Sequence, residues 1–156
     1  MVKVQLESLL QKKLRLSLQA VIPDKQAYTL KIHGDRFSAP GVPDVLACLD
    51  GFFIGIECKM WRGRPSEAQQ LHLRDIIRSG GIGLYLIWNK AESSYYWVPA
   101  DKPFTYRAKG GWIRTHEKEV TLKGINIKVI DCSYIAALIF VKMLEVSNGK
   151  ANVSSD

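Results

Sequence analysis

The 156-residue chain has little cysteine, no long apolar run and fewer acids than bases. Its three cysteines, Cys48, Cys58 and Cys132, are an odd number with no CxxC spacing. That argues against a disulfide framework or a zinc site. Cys48 and Cys58 lie in apolar stretches, where a thiol behaves as a small hydrophobe. The longest apolar run, Tyr134 to Val141, is far too short to span a bilayer. The opening residues, Met1-Val2-Lys3-Val4-Gln5-Leu6-Glu7, lack the apolar stretch of a signal peptide. No GxxxxGK(S/T) loop occurs, so no nucleotide cofactor is expected. These absences lead to the expectation of a soluble, cytoplasmic protein of a reducing compartment, with no membrane partner.

What is present is an ordinary globular composition, 47% hydrophobic and 24% charged. The length fits one domain with a real core. We expect it to occupy residues 1–146, with 147–156 as a flexible tail. Lys plus Arg is 22 against 15 for Asp plus Glu, a formal charge of +7. That balance excludes an acidic or strongly disordered chain. It favours an anionic partner, nucleic acid first.

Periodicity predicts the elements. Val2, Leu6, Leu9, Leu10, Leu14, Leu18 and Val21 fall on one helical stripe over residues 2–21, and Pro23 follows as a stop. Residues 27–33 read as a strand, and 39–43 as a rigid turn. Strands over 44–49 and 52–59 flank Asp50-Gly51, a strong hairpin signal because both residues tolerate positive φ. Ser66 to Ser79 reads as a helix capped by Ser66 and ended by Gly80-Gly81. Ile82 to Trp88 is nearly all apolar, as a strand buried on both faces would be. Residues 95–99 can pair back on it. The basic stretch 101–130 reads as irregular until a strand over 125–130, and Ser133 caps a last helix over 134–146. The class is α/β, with a mixed central sheet flanked by helices.

The hairpin carries the chemistry. In a two-residue turn Leu49 faces Phe52, which places Asp44 opposite Glu57 with Cβ atoms roughly 4.5–5.5 Å apart. Lys59 shares that face, while Val45, Ala47, Leu49, Phe52, Ile54, Ile56 and Cys58 form an apolar face for the core. Two opposed carboxylates repel, and one has its pKa raised. A hard divalent cation, Mg²⁺ or Mn²⁺, removes the conflict. A lysine beside it can orient a water or stabilise charge on a phosphate.

Gly41-Val42-Pro43-Asp44, then Ile56-Glu57-Cys58-Lys59, then Ser66-Glu67-Ala68-Gln69, resembles the PD-(D/E)xK nuclease signature. More narrowly, GxPD, ExK and S/TxxQ in that order resemble the virus-type replication-repair nuclease (VRR-Nuc) domain. The resemblance implies a restriction-endonuclease-like core of order α-β-β-β-α-β over residues 2–90, and the basic stretch that follows is then a C-terminal extension. It implies Mg²⁺- or Mn²⁺-dependent hydrolysis of DNA phosphodiesters. Asp44 and Glu57 would hold the metal, helped by the Cys58 carbonyl, and Lys59 would assist the water. An acid on the first helix would complete the site, and Glu7 is the only acid there. Structure selectivity for junctions or flaps, and a homodimer, are likewise implied by resemblance.

Other residues carry two readings each. Ser66-x-x-Gln69 fits a capping box, and an inward Gln69 amide would also reach the site; Gln70 is its neighbouring alternative. Arg62 and Arg64 border the expected site and can bind phosphate, or form a solvated loop. Lys31 and Arg36 can line a DNA groove, as can His33. His72, three residues after Gln69, can approach the site or be structural. Trp61, Trp88, Trp97 and Trp112 read as packing residues, with one open to stacking a base. The apolar helix over 134–146 is buried in the fold or against a second copy. A sequence-specific restriction-type nuclease and a non-cleaving nucleic-acid-binding protein are the competing readings.

Overall fold

The computed structural model describes residues 3–21, 27–32, 39–49, 51–106 and 112–131. The order is α1 (Lys3–Val21), β1 (Ala27–Lys31), β2 (Val45–Leu49), β3 (Phe52–Met60), α2 (Glu67–Arg78), β4 (Ile82–Asn89), β5 (Ser94–Pro99), β6 (Ile113–Leu122) and β7 (Ile125–Ile130). The seven strands form one sheet in sequence order. All neighbours are antiparallel except β3 and β4, which α2 joins by a parallel crossover. The expected helix over 134–146 and the tail lie outside the described residues, as does the 146 boundary of the expected domain.

The two helices cover opposite faces. Leu10, Leu14 and Leu18 of α1 are fully buried against Val45, Ala47, Leu49, Ile54, Ile56 and Cys58. Leu73 of α2 is fully buried with Tyr85, Ile87 and Val98 on the other face. β4 therefore sends Leu84 and Leu86 one way and Tyr85 and Ile87 the other, and all its residues are buried. This two-sided burial explains its unbroken apolar run. Leu9 departs from the expected stripe: it is 36% exposed, because the buried line runs through Leu10, Leu14 and Leu18 at a spacing of four.

The sheet curls, so that α1 touches β1, β3 and also β7. Polar ties hold the curl. Ser17 Oγ donates to the Lys13 carbonyl and accepts from the Ile130 N–H, both at 2.9 Å. Lys13 forms an ion pair with Glu117, which also accepts from the Tyr95 hydroxyl at 2.6 Å. The Lys13 ammonium lies 4.6 Å over the Trp88 ring.

The stretch 101–130 contains an unexpected ten-residue strand, β6, which corrects its reading as irregular. It bridges β5 and β7, and a two-residue turn with positive φ at Lys123 (52°) and Gly124 (78°) makes the last hairpin. Its apolar alternation is broken because an inward position carries Glu117, neutralised by Lys13. The core order α-β-β-β-α-β stands as expected, and three further strands extend it.

Candidate active site

The site begins at a close contact. Gly41 has φ 82°, and a Cβ there would stand 2.4 Å from the Ala68 carbonyl carbon and 2.7 Å from the Gln69 nitrogen. Only glycine lets the 39–43 turn lie this close on the first turn of α2. Pro43 is buried behind it. The turn delivers Asp44 to the start of β2, where its carbonyl accepts from the Ile32 N–H at 2.8 Å.

The hairpin register is the one a two-residue turn requires, from Leu49 opposite Phe52 to Val45 opposite Ile56. The ladder stops one residue short of Asp44. Its carboxylate crosses to β3 instead, where Oδ2 accepts from the Cys58 N–H at 2.9 Å. Glu57 stands in the middle of β3, 1% exposed, on the face covered by α2. Lys59 Nζ is 3.3 Å from Glu57 Oε1.

Gln69 closes the group. Its Nε2 donates to Glu57 Oε1 at 2.5 Å, while its Oε1 accepts from the Ser66 N–H at 2.7 Å. The Ser66 hydroxyl in turn accepts from the Gln69 N–H at 3.2 Å. The capping box and the inward amide are therefore one arrangement. The cap fixes the side chain whose other end holds Glu57. Gln70 turns elsewhere, accepting from the Phe104 N–H at 3.2 Å.

Glu57 is electrostatically uncomfortable. Burial first, and then the Asp44 charge, push its carboxyl from an ordinary 4.5 up to about 8, against the opposing pull of Lys59. Its Oε2 is buried without a hydrogen-bond partner among the described residues. A buried, half-satisfied carboxylate beside another acid suits a hard divalent cation, which would supply the missing charge. Asp44 and Glu57 thus fit a metal by donor chemistry. Among the described residues, however, no three His, Cys, Asp or Glu side chains converge on one point. Glu7 is half-buried on α1, and its charge is felt at the Cys58 thiol only after those of Asp44 and Glu57. The Cys58 side chain points into the core on the other face, where burial raises its pKa well above the usual thiol range.

The remaining expected residues scatter. Arg62 and Arg64 are exposed on the loop after β3, with Arg62 at φ 70°. Lys31 ends β1 opposite Val45. Arg36 and His33 lie outside the described residues. His72 lines a shallow recess with Phe53, Asp75, Ile76, Ser79 and Gly81, so it does not join the group. Sequence reasoning missed a ring cluster of Trp61, Tyr96, Phe104, Tyr106 and Trp112 beside the site. Its members are spread over fifty residues, and no spacing pattern links them.

No family model matches the chain, and no curated protein does. Among solved structures, the chain is similar to Hjc, a Holliday junction resolvase of the archaeal hyperthermophile Archaeoglobus fulgidus. The TM-score is 0.51 with 16% identity, over 84% of this chain and 98% of that one. The likeness is one of fold: a mixed, curled sheet with a helix on each face, the restriction-endonuclease-like architecture.

Proposed function

We propose that this chain is a divalent-metal-dependent DNA endonuclease, selective for branched DNA such as junctions or flaps, with Asp44, Glu57, Lys59 and Gln69 at its centre. The observation that carries the reading is Glu57, a buried carboxylate set against Asp44 and touched by Lys59 and Gln69. Burying such a group costs several kcal/mol, and groups kept at that cost cluster at functional sites. The resolvase fold and the GxPD, ExK and S/TxxQ motifs favour the same chemistry.

In this reading Asp44 and Glu57 would hold Mg²⁺ or Mn²⁺, with the Cys58 carbonyl as a further ligand, and Glu7 would be the acid offered from α1. When bound, the metal supplies charge stabilisation at the scissile phosphate and acidifies a water. The chain's own residues do the rest. The Cys58 N–H fixes the Asp44 carboxylate. Gln69 fixes Glu57 in one rotamer. Lys59, 16% exposed at its side chain, keeps its ammonium at the mouth of the site, where it orients the attacking water or meets phosphate charge. Water adds to phosphorus and gives a proton to solvent, the bridging P–O bond breaks, and the departing oxygen takes a proton from solvent to leave as a hydroxyl, with a phosphate monoester on the other strand end. Arg62, Arg64, Lys31 and Arg36 would bind flanking phosphates. A homodimer would bring two such sites to one branched substrate.

The test is cleavage of labelled linear, flap and four-way DNA with Mg²⁺, Mn²⁺ or EDTA, by wild type, Asp44→Asn and Lys59→Ala. Metal-dependent cutting of the branched substrates, lost in both variants, is expected. Binding without cleavage under every metal condition would overturn the nuclease reading. A cut that depends on a palindrome would replace structure selectivity with sequence specificity.

A further inference from the structure

We propose that Trp61 is a stacking shelf for an unpaired nucleobase, placed beside the Asp44–Glu57–Lys59 site so that single-stranded DNA at a branch is gripped there. This deepens the nuclease reading and rests on it for the identity of the neighbouring site. Four tryptophans compete for such a role, and burial separates them. Trp97 is fully buried and Trp88 is 5% exposed, each packed in the core under α1. Trp112 is half-buried within the ring cluster. Trp61 is 38% exposed.

Its position is fixed by the strand that carries the site. Glu57, Lys59 and Trp61 alternate along β3 and its continuation, so all three face the α2 side. The Trp61 backbone N–H still donates to the Trp88 carbonyl at 2.9 Å, holding the residue in line with the sheet. Behind it stand Tyr96, at a ring distance of 5.3 Å and a tilt of 34°, and Tyr106, edge-on at 5.3 Å. The Tyr106 hydroxyl donates to the Gly63 carbonyl at 2.5 Å, and the Gly63 N–H donates to the Met60 carbonyl at 2.8 Å. Two rings thus pack against the exposed indole, while three hydrogen bonds hold its backbone, the loop that follows and the Tyr106 ring behind it. A preformed surface of this kind loses little conformational freedom on binding.

The surroundings select the occupant. Arg62 and Arg64 follow Trp61 directly and are exposed, and among the described residues neither pairs with a carboxylate. An aromatic face flanked by two guanidinium groups matches a nucleotide: the base stacks and the phosphates meet the arginines. A paired base inside a duplex offers its face only to its neighbours. Only an unstacked base, as at a flap, gap or junction, can lie on the shelf.

The experiment measures binding in EDTA, where no cutting occurs. A flap DNA carrying 2-aminopurine in its single-stranded arm is titrated with wild type, Trp61→Phe and Trp61→Leu. Leucine refills the apolar contact with Tyr96 and Tyr106 but removes the ring face. Wild type and Trp61→Phe should quench the 2-aminopurine on binding. Trp61→Leu should lose the quench and lower the ratio of flap to duplex affinity roughly five- to 160-fold, the range for one base stacked on an aromatic ring. Quenching and affinity ratio in Trp61→Leu equal to wild type would overturn the shelf. So would equal losses in the Phe and Leu variants, which would mark Trp61 as a packing residue. Parallel cleavage in Mg²⁺ keeps the two claims apart. A Trp61 effect on binding without cleavage by wild type sinks the nuclease reading alone, and cleavage with no Trp61 effect sinks the shelf alone.

Discussion

Replacing Glu57 by glutamine should change how stability depends on pH, and by an amount the site geometry sets. Glu57 is 1% exposed, and burial followed by the Asp44 charge raises its carboxyl from 4.5 in the unfolded chain to about 8 in the fold. Between those values the native state holds a proton that the unfolded state has released. The group's contribution is therefore fully present below the unfolded value and lost as pH rises to the folded one. Each pH unit in this window costs about 1.4 kcal/mol, so the interval from about pH 5 to about pH 7 removes about 2.7 kcal/mol. In Glu57→Gln the amide oxygen can still accept from Gln69 and Lys59, and no proton is exchanged. Urea denaturation of both proteins with chelator present, across that interval, isolates Glu57 and its coupling to Asp44 and Lys59, because the titrations of groups away from the site cancel in the difference. Wild-type stability minus variant stability should fall by about 1.4 kcal/mol per pH unit. Parallel curves would refute the claim that Glu57 is held protonated by burial and Asp44.

Two other perturbations test the surroundings. Gly41→Ala should destabilise by more than about 1 kcal/mol, since it adds strain at positive φ to a 2.4 Å clash with the α2 backbone. Thermal melting will show it, and an unchanged midpoint would mean the turn does not lie on α2. Arg62→Gln and Arg64→Gln should each reduce the slope of log affinity for duplex DNA against log salt by about 0.9, if each meets one phosphate. An unchanged slope would remove that arginine from the interface.

Much of the site's placement was legible because local signals agreed with one another. Asp50-Gly51 set the register, alternation set the faces, and Ser66-x-x-Gln69 set the start of α2. Gln69 shows the limit of that reading: sequence offered a cap or a site residue, and in the fold one amide serves both ends. β6 was hidden because its inward Glu117 finds Lys13 and Tyr95 more than twenty residues away in sequence. Tertiary pairing of that kind leaves no period to detect. The rings around Trp61 were hidden for the same reason, since Tyr96 and Tyr106 meet it, and Phe104 and Trp112 join those two, only through the fold. Glu7 illustrates the opposite case. The resemblance offered it as the acid that completes the site, but no third carboxylate joins Asp44 and Glu57 among the described residues.

The central claim is that Asp44 and Glu57 together form a divalent-metal site. Calorimetric titration of Mn²⁺ into the apo protein tests it without relying on any substrate. Wild type should bind saturably, and Asp44→Asn and Glu57→Gln should each abolish that binding while both variants remain folded. Wild type that takes up no Mn²⁺, or variants that bind it as wild type does, would contradict it.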